Sequence, residues 1–174
     1  ADPIVRETAL ILPTLNCQDR IEQSLEAALL QTVNPYRIIV ADGGSTDRTV
    51  DIARRIGARA TSAGLIWFSF DLIQGRDQNE ALDITFAKIR SDCVILVDVG
   101  RQLSRSWSGA ASVALYSIPE GRSVHTRGAI AFNHTQWRRL KPKGPYEGVQ
   151  EVISRASKSK ELVLGATTGS YVLQ

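Results

Sequence analysis

Short apolar runs alternate with amphipathic segments along the first half of the chain. Residues 8–13, 38–41 and 93–97 are almost entirely apolar, which predicts strands that are buried on both faces. Residues 21–29 and 50–56 carry apolar side chains every three or four positions, which predicts helices with one buried face. Strands and helices that alternate at such short spacing favour a parallel sheet with right-handed crossovers and helices on its surfaces.

The stretch between the predicted strands at 38–41 and 93–97 gives a different pattern. Gly57 is the usual kind of residue to end a helix in a left-handed conformation, so we expect the second helix to stop there. Residues 58–62 are then expected to form a short third strand. A third helix is predicted to bury Leu82, Phe86 and Ile89.

The segment between Leu65 and Ile73 is unusually hydrophobic and holds one of the 3 tryptophans of the chain. Burial in the core is the simpler interpretation, because apolar runs are usually buried. The alternative is an exposed lip that contacts a membrane surface or a second copy of the chain.

The pattern is weaker after residue 103, but it still predicts further elements. They are a helix over 107–116, a strand over 127–133, a short helix over 134–140, a helix over 146–157, and closing strands over 161–165 and 170–173. The sequence contains no repeat, linker or low-complexity tract, and 174 residues can bury a sizeable core. We therefore expect one α/β domain over residues 1–174, with a mostly parallel central sheet flanked by helices.

Acidic residues follow two of the predicted strands. Asp42 ends the second strand and precedes two glycines and a Ser-Thr-Asp run that can cap a helix, and Asp98 ends the fourth strand. In open α/β sheets, ligands bind at the carboxyl ends of the strands. Asp42 and Asp98 are therefore expected to converge on one crevice, which we interpret as a nucleotide site.

Charge and composition limit the classes of partner. The chain carries 21 Lys and Arg against 18 Asp and Glu, a net charge of +3, and its basic residues are spread out rather than clustered. No nucleic-acid site is expected from this distribution, whereas it suits an anionic ligand or a membrane surface. Cys17 and Cys93 fit no metal spacing, and His125 and His134 are too few for a histidine metal site.

The sequence also bears on location. No apolar run approaches the roughly 20 residues that span a bilayer, and no signal peptide is recognisable. With two cysteines that we expect to be reduced thiols, we predict a cytoplasmic protein. Peripheral contact at the inner membrane face, through the segment between Leu65 and Ile73, is the alternative.

Several motifs together resemble the inverting glycosyltransferases of family 2, which have the GT-A fold. They are LILPTLN at 10–16, IVADGGSTD at 39–47, Gly75-Arg76 with Asn79, and VILVD at 94–98. The resemblance is specific over residues 8–100, and it implies that this half binds a nucleotide sugar. Residues 101–174 would then form the acceptor and catalytic half.

The resemblance implies a role for individual residues in holding the donor. Asp42 would accept hydrogen bonds from the base, as a carboxylate can from the N–H of uracil or guanine, unless it is only a turn or cap residue. Arg76 would lie near the donor phosphates, unless it is a solvated loop arginine. The full set of predicted donor-binding residues is Pro13, Thr14, Asn16, Asp42, Gly43, Gly44, Arg76 and Asn79.

Two positions depart from the family pattern. The family normally has Asp-x-Asp after the fourth strand, which holds a divalent cation such as Mg²⁺ or Mn²⁺, whereas this chain has Asp98-Val99-Gly100. Asp98 is thus predicted to be catalytic and the single metal ligand, with weaker metal binding. The family base follows a glutamate, and here Glu147 is followed by Gly148.

The catalytic base is therefore open to more than one assignment. We predict Glu147 as the base that deprotonates the acceptor hydroxyl. Glu151 could substitute for it, and Glu147 could instead be a carboxylate that favours a helix start.

The function that follows is the transfer of a sugar, with inversion, from a UDP- or GDP-sugar to a hydroxyl of a glycan, lipid or small molecule. The alternative is a nucleotide-sugar-binding or regulatory module of the same fold that has lost turnover, because Gly100 and Gly148 replace the expected carboxylates. A nucleotidyltransferase would need a glycine-rich loop directly after the first strand, and residues 13–17 are not such a loop.

Overall fold

The structure is a computed structural model, and it describes residues 8–31, 37–63, 69–101, 103–109, 111, 115, 123–156, 162–164 and 171–173. The strands are β1 (Thr8–Thr14), β2 (Arg37–Asp42), β3 (Ser69–Gln74), β4 (Cys93–Val97), β5 (Val124–Thr126), β6 (Ala129–Phe132), β7 (Leu162–Leu164) and β8 (Tyr171–Leu173). The helices are α1 (Ile21–Leu29), α2 (Thr49–Ser62), α3 (Gln78–Lys88), α4 (Trp137–Leu140) and α5 (Val149–Ala156), with a 3₁₀ turn at His134–Gln136.

These strands form one sheet in the order β3-β2-β1-β4-β6-β5-β7-β8. The first four strands of this order are parallel to one another, and β6 joins β4 in the antiparallel direction. The chain runs outward from β1 to β3 and then returns to place β4 on the other side of β1. The strand order therefore reverses between β1 and β4, which is where open α/β sheets bind ligands. The predicted fold class, a GT-A-like α/β sandwich with a mostly parallel sheet, is confirmed.

The core lies on both faces of the sheet, as the unbroken apolar runs predicted. Alternate residues of β1 point to opposite faces: Leu10 and Leu12 pack with α1, α2 and Trp107, whereas Ile11 packs with α3, α4 and α5. Every residue of β1 is buried. The central strands are thus fixed from two sides, which gives their carboxyl ends defined positions.

The predicted strand over residues 58–62 is wrong, because α2 continues through Gly57 to Ser62. Gly57 is buried inside this helix, and the ring of Phe70 packs where a Cβ atom at position 57 would stand. The glycine therefore serves a close contact between α2 and β3 rather than a helix end. The third strand is instead β3, in the described part of the segment between Leu65 and Ile73, whereas residues 64–68 lie outside the described residues.

The second half of the chain agrees with the predicted elements in type. The strand over 127–133 is β6, the short helix over 134–140 is the 3₁₀ turn with α4, the helix over 146–157 is α5, and the closing strands are β7 and β8. Strand β5 was not predicted. The helix over 107–116 is only partly described, with residues 107–109 helical. Among the described helices, none combines the length and the hydrophobicity that crossing a membrane requires.

We expect Gly57→Ala to destabilise the protein, although alanine favours helices. Alanine gains about 1 kcal/mol of helix propensity over glycine, but overpacking against Phe70 costs about 1–3 kcal/mol. Urea unfolding should show a net loss of stability. In a Phe70→Ala background, the same substitution should be neutral or stabilising, and a loss of equal size in both backgrounds would contradict the packing explanation.

Candidate functional site

The carboxylate of Asp42 lies at the carboxyl end of β2 and is completely buried. Its Oδ1 accepts hydrogen bonds from the hydroxyls of Thr14, at 2.7 Å, and Ser45, at 2.6 Å. Its Oδ2 accepts from the backbone N–H groups of Gly44, at 3.1 Å, and Ser45, at 2.9 Å. These donors fill the roughly four lone-pair positions of an ionised carboxylate. Direct contact between Asp42 and a base would displace one of them, and it stays a prediction.

Pro13 and Thr14 lie at the end of β1 beside this carboxylate. Thr14 pairs with Asp42 in the parallel register, and its carbonyl accepts a hydrogen bond from the N–H of Gly43 at 2.9 Å. Both residues are buried. The structure therefore brings Pro13, Thr14 and Asp42 together, as the motif order predicted, at the edge of the sheet where the strand order reverses.

A second set of hydrogen bonds joins the loop after β1 to the loop after β2. The N–H of Asn16 donates to Oγ of Ser45 at 2.8 Å, and Oδ1 of Asn16 accepts from the N–H of Thr46 at 2.8 Å. Asn16 has a φ of 48°, in the left-handed region that asparagine tolerates better than most residues. Asn16 therefore fastens the two loops together, and its contact with a ligand stays a prediction.

Asp47 caps the start of α2, as the Ser-Thr-Asp run predicted. Its Oδ1 accepts from the N–H of Thr49 at 2.9 Å and from the Thr49 hydroxyl at 2.6 Å, and its Oδ2 accepts from the N–H of Gln18 at 3.2 Å. Burial raises the pKa of Asp47, but these hydrogen bonds outweigh burial and hold the pKa below its ordinary value. The loop after β1 is thus also tied to an ionised helix cap.

The glycines of the DGGSTD run bring this loop against the start of α3. A Cβ atom at position 43 would lie 2.5 Å from the backbone N of Gln78, so only glycine fits there. Gly44 has a φ of 93° and donates its N–H to Asp42. Gly43 and Gly44 therefore shape this corner of the sheet, and their contact with a nucleotide stays a prediction.

Arg76 extends into solvent near the same corner. Its side chain is 89% exposed and pairs with Glu80 at 2.6 Å, one helical turn later. The hydrogen bond and charge of Glu80 raise the pKa of Arg76, and the same pairing lowers the pKa of Glu80. Exposed pairs of this kind contribute little to stability. Exchanging Glu80 for a donor phosphate would therefore cost little.

Asn79 connects the first half of the chain to the second. Its Nδ2 donates to the carbonyl of Gly144 at 2.8 Å, and its Oδ1 accepts from the N–H of Tyr146 at 2.7 Å. Both polar atoms of this side chain are therefore used to hold the loop that precedes α5. The predicted contact of Asn79 with the donor stays a prediction.

The carboxyl end of β4 turns sharply after Asp98. The carbonyl of Asp98 accepts from the N–H of Arg101 at 3.2 Å, and Gly100 within this turn has a φ of 96°. Ser24 of α1 fixes the turn, since its Oγ accepts from the N–H of Gly100 at 2.8 Å. The side chain of Asp98 is 33% exposed, with Nε of Arg101 3.7 Å from its Oδ2. Arg20 packs against Gly100, a contact that no sequence pattern indicates.

The residues around Asp98 do not fit a divalent cation. A second carboxylate at position 100 would meet Arg20, whose Cδ is 2.8 Å from where a Cβ atom would stand. Arg101 already places a positive charge beside Asp98. In the described ranges, no group of three or more His, Cys, Asp or Glu side chains could hold a metal ion. A cation held by Asp98 would depend on donor phosphates and water for its other ligands, and Asp98 as the single metal ligand stays a prediction.

The predicted base, Glu147, is exposed, and Gly148 after it has a φ of 137°. Glu151, in the first turn of α5, is in a different environment. Its side chain is 31% exposed, but Oε2 is shielded from solvent and finds no hydrogen-bond partner in the part of the chain that the structure describes. Nε of Arg155 lies 3.9 Å from the other oxygen.

Tyr146 precedes α5 in the loop that Asn79 holds. Burial, followed by the negative charges of Asp98 and Glu151, raises the pKa of the Tyr146 hydroxyl well above its ordinary value. Sequence reasoning gave Tyr146 no role, because nothing in its local pattern marks it.

Comparison with protein families identifies a match over the part of the chain that contains the first four strands. The model of glycosyl transferase family 2 matches residues 9–110. Among curated proteins, the undecaprenyl-phosphate 4-deoxy-4-formamido-L-arabinose transferase of Serratia proteamaculans is 29% identical over 101 residues, which is 56% of this chain and 30% of that protein. The chain therefore spans about a third of the length of this relative.

Solved structures with the same fold cover more of the chain. The mannosyltransferase PcManGT of Pyrobaculum calidifontis, in complex with GDP-Man and Mn²⁺, has a TM-score of 0.62 at 20% identity and covers 78% of this chain and 46% of its own. S. aureus TarS 1–349, in complex with UDP, has a TM-score of 0.65 at 12% identity. The match covers 94% of this chain and 59% of the TarS chain. At these identities, the likeness establishes the fold.

We expect Asp42→Asn to destabilise the protein in the absence of any nucleotide. The amide would place N–H donors against the N–H and hydroxyl groups that now donate to the carboxylate. Loss of charge-assisted hydrogen bonds should cost about 2–3 kcal/mol in urea unfolding. Asp51→Asn, an exposed position in the first turn of α2, is the control. Unchanged stability with weaker nucleotide binding would instead favour direct contact of Asp42 with a base.

Proposed function

Because the chain belongs to glycosyl transferase family 2, we propose that it transfers a sugar, with inversion, from a nucleoside diphosphate sugar to an acceptor hydroxyl. The observation that carries the proposal is the convergence of the β1, β2 and β4 carboxyl ends at the point where the strand order reverses. A glycine-bearing loop held by Asp42 and a half-buried carboxylate, Asp98, meet there. Such a corner suits a nucleotide.

The proposed donor is a UDP- or GDP-sugar that lies across the ends of β1 and β4. Solved relatives of the same fold contain GDP-Man or UDP, which supports this class of donor. Asp42 serves the site by holding Thr14 and Ser45 in place, so that the backbone around Pro13 and Gly43 forms the wall beside the base. Arg76, at the exposed start of α3, is placed to release Glu80 and meet a phosphate.

The proposed reaction is an in-line displacement. A base takes the proton of the acceptor hydroxyl, the acceptor oxygen bonds to the anomeric carbon, and the bond from that carbon to the diphosphate oxygen breaks with its electron pair. The nucleoside diphosphate leaves, and the new bond forms on the opposite face of the sugar. Asp98, beside the donor, helps to orient it.

Glu151 is better placed than Glu147 to act as the base. The side chain of Glu151 is 31% exposed, so an acceptor hydroxyl can approach it. Its backbone is held in the first turn of α5, which gives the carboxylate a defined position. Glu147 has an exposed side chain, although its loop is held by Asn79 through Tyr146.

The acceptor is proposed only as a hydroxyl of a glycan, a lipid or a small molecule. One relative is named for undecaprenyl phosphate, a lipid carrier, which supports a lipid and a peripheral position at the inner membrane face. Of the segment between Leu65 and Ile73, residues from Ser69 onward form the edge strand β3. Contact of this edge with a membrane or a second copy stays part of the proposal.

The second candidate function is a nucleotide-sugar-binding module without turnover. It is favoured by Gly100 and Gly148, which both have positive φ and which both lack the carboxylate that the family pattern expects. Nucleotide binding without sugar transfer or donor hydrolysis would establish it.

We expect UDP or GDP to raise the melting temperature, because a ligand at 100 times its Kd stabilises the folded state by about 2.7 kcal/mol. Arg76→Ala, which removes the cation proposed to meet a phosphate, should weaken this shift, whereas Asp51→Asn on α2 should leave it unchanged. Release of nucleoside diphosphate from the sugar nucleotide would then separate an enzyme from a binding module. If no uridine or guanosine nucleotide changes the melting temperature, the proposed donor class is wrong.

Glu151→Gln should lower kcat by about 10²–10⁴, the usual contribution of a general base, with little change in donor binding. The pH profile of kcat should lose its acidic limb, which a purely structural role would not affect. Glu147→Gln, with the same chemical change four residues earlier in the chain, should keep most of its activity. The opposite result, with Glu147→Gln inactive and Glu151→Gln active, would assign the base to Glu147.

A further inference from the structure

We propose that the guanidinium of Arg20 stabilises the diphosphate of the donor, at the place where the family pattern expects a second metal-binding carboxylate. This inference rests on the proposed function, because it assigns a role at the same donor site. It starts from the turn after β4. Gly100 in that turn has a φ of 96°, and its N–H is fixed by Oγ of Ser24 at 2.8 Å.

Arg20 fills the space beside this turn. Its Cδ is 2.8 Å and its NH1 is 3.5 Å from the position that a Cβ atom at residue 100 would take. Arg20 occupies the space that a side chain at this position would take, and the positive φ would strain any residue other than glycine. Arg20 and Ser24 are one turn apart, at the start of α1, so the same helix end both fixes the turn and supplies the cation.

The charges around the turn favour a bound anion. Arg20 packs against Gly100 in this turn, and Nε of Arg101 lies 3.7 Å from Oδ2 of Asp98. Among the described residues, no carboxylate lies within ion-pair distance of Arg20. A divalent cation would be repelled by both guanidinium groups, whereas a diphosphate would be attracted by them.

Arginine can perform the task that the expected metal would perform. Its planar guanidinium donates paired N–H groups to phosphate oxygens, and it stays protonated throughout the physiological pH range. Negative charge grows on the diphosphate as its bond to the anomeric carbon breaks, so a fixed positive charge beside it favours departure of the leaving group. Arg20 thereby acts on the leaving group without a metal ion.

Calorimetry of UDP and GDP binding, in EDTA and then with Mn²⁺, tests this proposal. The unsubstituted chain should bind one of the two nucleotides in EDTA, with little gain from Mn²⁺. Arg20→Ala should weaken binding about 10- to 100-fold, as expected for lost hydrogen bonds to a charged group. The nucleotide affinity of Arg20→Lys should lie between those of the unsubstituted chain and Arg20→Ala, because lysine keeps the charge but not the paired donors.

Arg59→Ala is the matched control, since Arg59 is exposed in the last turn of α2, away from the donor corner. Urea unfolding of each variant separates loss of binding from loss of fold, and Arg20→Lys keeps the test decisive if Arg20→Ala does not fold. Binding that requires Mn²⁺ would overturn the role of Arg20 and leave the proposed function intact, as would unchanged binding by folded Arg20 variants. Absence of nucleotide binding in both buffers would overturn the role of Arg20 together with the proposed function.

Discussion

The corner of the sheet formed by the ends of β1 and β2 depends on the burial of one negative charge, that of Asp42. An isolated buried carboxylate costs several kcal/mol unless it is hydrogen-bonded, and Thr14, Gly44 and Ser45 provide the donors that offset this cost. These donors come from the end of β1 and from the loop after β2. The carboxylate therefore fixes two loops by requiring both to supply hydrogen bonds, and Asn16 extends the same network between them.

Two tasks, shaping the wall of the site and meeting a ligand, belong to different residues in this structure. The buried Asp42 shapes the wall of the site, whereas the charges that can meet a ligand stand at the end of β4 and the start of α1. There Asp98 is half-buried beside Arg101, and Arg20 packs against Gly100.

Local pattern was enough to predict most of the fold. The unbroken apolar runs of β1, β2 and β4 identify strands buried on two faces, and α1 and α5 show clear buried stripes. Gly57 misled the prediction, because a glycine that ends a helix and a glycine that admits a neighbouring ring look alike in sequence. The distinction depends on Phe70, which belongs to another element.

Local sequence pattern also predicted only part of the site. The strand ends and the DGGSTD run place Asp42 and Asp98 correctly at one edge of the sheet, since carboxyl ends of parallel strands share an edge. The positions of Arg20 and Tyr146 depend on contacts between residues far apart in the chain. No periodicity or spacing encodes that Arg20 meets Gly100, or that Asn79 bonds to the N–H of Tyr146.

Several hydrogen bonds that join the two halves of the chain use main-chain atoms of the second half. The N–H of Asp98 donates to the carbonyl of Gly128 at 2.8 Å, and Asn79 bonds to the carbonyl of Gly144 and the N–H of Tyr146. Main-chain groups are present whatever side chain a residue carries. The side chains at positions 144 and 146 can therefore vary while these three hydrogen bonds keep the two halves attached.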